Sequence, residues 1–267
     1  AIDLDASIMG TYAVKYVTSS SICADSTTFN VTINPTNTVY VNGAYDISTA
    51  TFVQDFSVSS QETTPQGIVF NNDGTKMFVI GQTGDDVNEY NLSTAFDVST
   101  ASYVQNFSVA AQEIHPKDIS FNNDGTKMFV IGHQGDDVNE YSLSTAFDVS
   151  TASYVQNFAV GSQEVYPDGL SFNNDGTKMY VIGSSGDDVN QYGLSTAFDV
   201  STATYVQNFS VVSQDNAPRE ITFNNDGTKM FIIGGVGHDI NEYNLTTAFD
   251  VSTASYVQNL SVSSQDI

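Results

Sequence analysis

Basic side chains are scarce. Lys and Arg together number 7 against 31 Asp and Glu, which gives a formal net charge of −24. A surface of that sign repels nucleic-acid phosphates and anionic lipid, so DNA, RNA and anionic membranes are not expected partners. It also collects divalent cations, which keeps a calcium role open. Cysteine is nearly missing: Cys23 stands alone, so no internal disulfide forms, and in a secreted chain its partner lies elsewhere. No apolar run approaches the roughly 18 residues of a membrane-spanning helix, so membrane insertion is not expected. Gly-x-Ser-x-Gly elbows, phosphate loops, catalytic Cys–His pairings and His-x-x-x-His spacings are all missing, which removes the common hydrolase, nucleotide and zinc signatures.

Ser, Thr, Asn, Asp, Val, Tyr and Phe dominate, and no stretch has the period of a long amphipathic helix, so the chain reads as all-β. Its organising stretch is Phe70-Asn-Asn-Asp-Gly-Thr-Lys-Met-Phe-Val-Ile-Gly81. The stretch returns at 121–132, 172–183 and 223–234, each copy 51 residues after the last. An apolar strand, an Asn-Asp-Gly turn tolerant of positive φ and a returning apolar strand make a β-hairpin.

Repeating units run 48–98, 99–149, 150–200 and 201–251, with a partial fifth at 252–267. A period near 50 points to a propeller or a solenoid. Each unit carries four strand signals. In the second they are 103–109, 118–121 after Pro116, 127–131 after the turn, and 138–143 after Gly135-Asp136-Asp137. Four short antiparallel strands per unit make a propeller blade, so the expected fold is all-β: a β-propeller of four complete four-stranded blades. One outer strand, at 51–58, is surplus, because 256–262 already completes the last blade. Both ends therefore fall inside repeating units, and the expectation is a piece of a longer protein and a larger ring, with neighbouring domains of the same chain as partners.

The Asp-Gly-Thr-Lys-Met-Phe-Val hairpin resembles propeller repeats of the YVTN and lactonase-like group, with Asn-Asp-Gly in place of Pro-Asp-Gly and a longer blade. The whole unit, with Gly-Asp-Asp-Val-Asn-Glu-Tyr and Leu-Ser-Thr-Ala-Phe-Asp-Val-Ser-Thr-Ala, is similar to tandem propeller repeats of marine bacterial and phage surface proteins. That resemblance spans 46–267 and brings no established catalytic residues.

Residues 1–34 differ in composition. Thr11-Tyr-Ala-Val-Lys-Tyr-Val-Thr18 and Thr28-Phe-Asn-Val-Thr-Ile33 alternate and suggest a hairpin around the Cys23 loop. With Ile2-Asp-Leu-Asp-Ala-Ser, they resemble the C-terminal half of Ig-like repeats in large Bacteroidetes surface proteins. The expected organisation is therefore part of an Ig-like β-sandwich at 1–34, a linker at 35–47 and the propeller at 48–267.

The units differ in two places. One surrounds the proline: Thr63-Thr64-Pro65-Gln66, Ile114-His115-Pro116-Lys117, Val165-Tyr166-Pro167-Asp168 and Asn216-Ala217-Pro218-Arg219. The other precedes the acidic pair: Gln82-Thr83, His133-Gln134, Ser184-Ser185 and Gly235-Val236. Alternating strand direction puts both loops on one face and the invariant loops on the other, as binding surfaces on rigid scaffolds are built. His115, Lys117, His133, Tyr166 and Arg219 are the ligand-contact candidates, since aromatic and cationic groups suit a sugar or an acidic partner. The pairs Asp85-Asp86, Asp136-Asp137 and Asp187-Asp188 are calcium candidates. Their alternative role is to accept backbone N–H bonds in turns, and their spacing is not that of a calcium loop. No other cofactor is implied.

The function expected from the sequence is a secreted or cell-surface adhesion or binding module, not an enzyme, presenting varied loops to an extracellular glycan or surface protein. A ligand-free spacer in a surface stalk is the first alternative. A lactonase-like hydrolase is the second, and the near-identity of the units argues against the single asymmetric centre it would need.

Overall fold

The computed structural model describes residues 10–17, 26–33 and 45–264. Two compact units divide the chain, Ala1–Asp46 and Ile47–Ile267. In the first, β1 (Gly10–Val17) and β2 (Ser26–Ile33) pair antiparallel, from Gly10 opposite Ile33 to Val17 opposite Ser26. The Cys23 loop and residues 34–44 lie outside the described residues, and so does the rest of any Ig-like sandwich.

The second unit is a β-propeller of four four-stranded antiparallel blades. Blade 1 holds β3 (Pro65–Phe70), β4 (Lys76–Gly81), β5 (Asp86–Leu92) and β6 (Ala101–Ser108). Blade 2 holds β7 (Pro116–Phe121), β8 (Lys127–Gly132), β9 (Asp137–Leu143) and β10 (Ala152–Ala159). Blade 3 holds β11 (Pro167–Phe172), β12 (Lys178–Gly183), β13 (Asp188–Leu194) and β14 (Ala203–Ser210). Blade 4 holds β15 (Pro218–Phe223), β16 (Lys229–Gly234), β17 (Asp239–Leu245) and β18 (Ala254–Ser261). The innermost strands β3, β7, β11 and β15 neighbour one another in turn.

The invariant sequence blocks build the lower face. In the first hairpin turn the positive φ falls on Gly74 alone, at 70°. Asp73 Oδ1 accepts from Thr75 N at 3.0 Å, and Asn71 Oδ1 accepts from Lys76 N at 2.9 Å. A Cβ on Gly74 would lie 2.3 Å from the Phe96 ring. Phe96 belongs to the invariant Thr-Ala-Phe-Asp-Val block, itself turns through positive φ, and donates its N–H to the Gly74 carbonyl at 2.9 Å. Only glycine lets the ring sit there, so the two invariant blocks hold each other.

Blade-to-blade seams have an apolar and a polar layer. Phe78, Ile80 and Val87 of blade 1 pack on Met128, Val130 and Tyr141 of blade 2, and Phe129, Ile131 and Val138 repeat the arrangement against blade 3. Each fully buried side chain of this size stabilises by about 1.5–3 kcal/mol. Below them, Lys127 Nζ donates to Glu140 Oε1 at 2.7 Å and to the Phe198 carbonyl of the next blade at 2.6 Å. Glu140 Oε2 accepts from Gln156 Nε2 at 2.9 Å and from Val200 N of the next blade at 3.2 Å. Gln156 also reaches Asp199 Oδ1 at 2.8 Å, the residue that caps the 3-10 turn Val200–Thr202. Lys76, Glu89, Gln105 and Asp148 repeat this between blades 1 and 2. In blade 3, Gln191 replaces the glutamate, and the Tyr180 hydroxyl adds a 2.7 Å bond to the Phe249 carbonyl beside Lys178.

The surplus outer strand anticipated at 51–58 pairs with no other strand. Phe56 and Val58 nevertheless pack against Met77, Val79, Tyr90 and Leu92 of blade 1.

The seam carries a stability prediction. Lys127→Met leaves the nearly buried Glu140 carboxylate and the Phe198 carbonyl short of a donor, and should cost about 2 kcal/mol in urea denaturation. Glu140→Gln combined with Phe129→Tyr copies the blade 3 arrangement and should cost less than about 1 kcal/mol.

Candidate functional site

The varied loops are fixed from below by a row of buried acids. Glu113 Oε1 accepts from His115 N at 2.7 Å in the proline loop and from Gln134 N at 3.1 Å in the loop before the acidic pair. Glu62, Glu164 and Asp215 do the same in their blades. Burial pushes the Glu164 carboxyl up, and the N–H groups of Tyr166, Gly186 and Ser185 offset only part of the rise. One acid therefore staples two loops whose other residues are free to vary. These four acids were not singled out in the sequence. Their signal is the constant Gln-Glu or Gln-Asp before each proline loop.

The acidic pairs divide their work. Asp86, Asp137 and Asp188 are buried, and each accepts Asn side-chain amides from β-strands of its own blade: Asp86 Oδ1 takes Asn88 Nδ2 at 2.6 Å and Oδ2 takes Asn106 Nδ2 at 2.5 Å. Asp85, Asp136 and Asp187 turn through φ of 46°, 48° and 50°, and their carbonyls accept the N–H of Val109, Val160 and Val211. Among the described residues, no group of three or more His, Cys, Asp and Glu side chains is arranged to hold a metal ion.

The two residues after each proline line the axis. The first is Gln66, Lys117, Asp168 or Arg219, and the second is Gly67, Asp118, Gly169 or Glu220. Asp168, almost fully buried, is the centre of this end. Its Oδ1 lies 3.1 Å from His133 Nε2, 3.9 Å from Lys117 Nζ and 3.9 Å from Arg219 Nη1. Its Oδ2 is buried without a hydrogen-bond partner. The His133 ring meets the exposed Tyr166 ring edge-on at 5.4 Å. Lys117 also donates to Gln66 Oε1 at 3.0 Å. Burial lowers its amine's pKa, against the pull of Asp168 and with help from Arg219. Four of the five ligand candidates thus meet around an aspartate that sequence reasoning passed over. The contacts that join them do not include His115, which is exposed on the same loop row.

One layer deeper, Asp118 and Glu220 share a hydrogen bond across the axis. Burial raises both carboxyls. Asp118 is pushed up to about 7 despite the N–H groups of Leu170 and Ile119, and Glu220 is raised further by its neighbour's charge. Glu220 as a residue is half-buried, but its carboxyl is enclosed. The glycines between them matter for approach: a Cβ on Gly67 would sit 2.6 Å from Asp118 Oδ1. The near-identity of the units therefore does not extend to the axis. The centre is asymmetric, because the two residues after each proline escape the repeat.

No protein-family model and no curated protein matches the sequence. Solved structures share its backbone. A candidate 6-phosphogluconolactonase from Bacteroides uniformis is 14% identical with a TM-score of 0.51, over 74% of this chain and 55% of its own. A protein from Lactobacillus plantarum is 16% identical with a TM-score of 0.50, over 73% of this chain and 54% of its own. The chain thus spans about half the length of the solved structures it matches. These likenesses show the fold alone, a β-propeller.

The buried pair predicts a pH dependence. Above roughly pH 4 the unfolded chain releases both protons while the native pair keeps them, so the native state binds more protons and stability falls as pH rises towards the raised native values. Between pH 5 and pH 7.5 the melting temperature should drop more in the parent than in the double variant Asp118→Asn, Glu220→Gln. Equal slopes would mean that the native pair is already ionised.

Proposed function

We propose that this propeller is a binding module of a secreted or cell-surface protein, and that the axial end of its varied face takes an anionic ligand, a carboxylate-bearing glycan. One observation carries this reading. Of the seven basic side chains, Lys15 lies in the N-terminal unit, Lys76, Lys127 and Lys178 are seam lysines, the first two paired with glutamates and Lys178 bonded to the Phe249 carbonyl, and Lys229 pairs with Glu242 of its own blade. The remaining two, Lys117 and Arg219, both lie at the axial site, with His133 and Tyr166 beside them. On a chain of net charge −24, a local concentration of cations marks where negative charge is welcome. Arg219, half-exposed, offers a planar fork that matches a carboxylate, and Tyr166 offers a face for a sugar ring.

The hydrolase alternative draws its support from the asymmetric carboxylates Asp118 and Glu220. Their oxygens, however, accept the N–H groups of Ile119, Leu170 and Ile221. Asp118 thereby ties β7 to β11, while Glu220 accepts from the next residue of its own strand β15.

A screen of uronate-bearing and neutral polysaccharides, with calcium and with a chelator, tests the reading. Acidic glycans should bind with an affinity that falls as salt rises, and Tyr166→Ala and Arg219→Ala should each weaken binding by about tenfold or more. Equal binding of neutral glycans, or binding untouched by both variants, would refute the site. Silence from a folded sample would favour the spacer, and capture of an acidic protein in place of glycan would change the ligand class.

A further inference from the structure

The three internal seams show what each blade face needs, and two faces lack it. Ile119, Leu170 and Ile221 are 1–3% exposed in their inner strands because the preceding blade covers them, whereas their counterpart Ile68 is 56% exposed. Ile80, Ile131 and Ile182 are fully buried by the following blade, whereas Ile233 of blade 4 is 42% exposed. Blade 1 thus lacks a predecessor and blade 4 a successor. The inner strands β3 and β15 do not pack on each other as β3–β7, β7–β11 and β11–β15 do. A wedge lies between the two blades.

Segment 47–58 stands at the outer rim of that wedge in the position of an outer strand. Gln54 Nε2 donates to Asp97 Oδ1 of blade 1 at 2.6 Å, as Gln105 of blade 1 does to Asp148 of blade 2. The 3-10 turn Ile47–Thr49 neighbours β18, as Val149–Thr151 neighbours β6. One segment therefore keeps the contacts of an outer strand with blade 1 on one side and with blade 4 on the other. A cleft of about 340 Å³, lined by Ala50, Thr51, Phe52, Leu260, Ser261 and Val262, opens beside it. Its sequence agrees, since Tyr45-Asp-Ile-Ser-Thr-Ala-Thr-Phe-Val-Gln-Asp-Phe56 follows Phe147-Asp-Val-Ser-Thr-Ala-Ser-Tyr-Val-Gln-Asn-Phe158.

We infer that the wedge is a seat for the three inner strands of a fifth repeat of this same kind, whose third strand would pair with 51–58 as β9 pairs with β10. The occupant is fixed by continuity with the existing seams. It must present Phe, Ile and Val towards Ile68, Met77 and Val79, as blade 1 does to blade 2. It must also present Ile, Met and Val towards Phe231, Ile233 and Ile240, as blade 2 does to blade 1. A second whole copy of the chain exposes the same two faces, at its own Ile68 and Ile233, so pairing between copies is the competing occupant that the test must separate. The inference concerns the ring and does not depend on the ligand proposed above.

Extension of the full chain tests it. Residues 262–267, Val-Ser-Ser-Gln-Asp-Ile, match 109–114, Val-Ala-Ala-Gln-Glu-Ile, so a copy of residues 115–143 joined after Ile267 continues the repeat in register. The extended chain should remain monomeric, melt at least about 5 °C higher and slow amide exchange across 51–58 by about a hundredfold. Ile68→Asp and Ile233→Asp should each abolish that gain while costing the unextended chain little. A scrambled extension of the same composition should do nothing. An extension that leaves melting and exchange unchanged would overturn the proposal. So would an unextended chain that dimerises and protects 51–58 in doing so, or one in which Ile68→Asp destabilises as much as Ile119→Asp, since the flanks would then have closed on something else.

Discussion

The structure depends on one constraint: no blade can bury its apolar faces alone, so each must be held to the next in a fixed orientation. The hydrophobic effect supplies attraction there but not direction. Direction comes from the chain that runs from a lysine through a glutamate and a glutamine to an aspartate in the following blade. Its charges are partly buried, and isolated ions in such a place would be unfavourable. They are tolerated because both glutamate oxygens and the lysine amine are occupied, in part by backbone groups of the neighbouring blade. The seam therefore accepts only one register between blades. Blade 3 shows the tolerance of the device, because a neutral Gln191 is accompanied by a tyrosine hydroxyl that supplies a bond of its own.

This constraint explains which parts of the fold were legible in the sequence. The residues of the seam recur almost unchanged from repeat to repeat, so their period exposed the blades, and the Asn-Asp-Gly turn exposed the hairpin with its direction. The assignment of invariant loops to one face and varied loops to the other follows from strand alternation, and the Gly74–Phe96 contact and the Glu113 staple agree with it. The state of segment 51–58 was not legible. Its residues are those of an outer strand, but a strand needs a partner, and the partner's presence is not a property of the segment.

The axial site was half legible for a related reason. Comparing repeats finds residues that differ, and it pointed to Lys117, His133, Tyr166 and Arg219. Asp168 was hidden because aspartate is common in this chain and Pro-Asp reads as a turn. Asp118 and Glu220 were hidden because their meaning lies in each other, across a distance in sequence that only the ring closes up. A buried carboxyl pair is expensive to ionise, so burial raises both groups and favours holding a proton between them.

Repetition and asymmetry are thus separated by position along each blade. Seam residues face two neighbours and cannot change without a compensating change next door, as Gln191 and Tyr180 illustrate. Residues just after the proline face the axis, where the blades share one space and no side chain is required to repeat. A substitution there alters the chemistry of the centre while leaving the seams intact. The propeller can therefore acquire a single distinctive site, with an aspartate at its middle and cations drawn around it, from four nearly identical units.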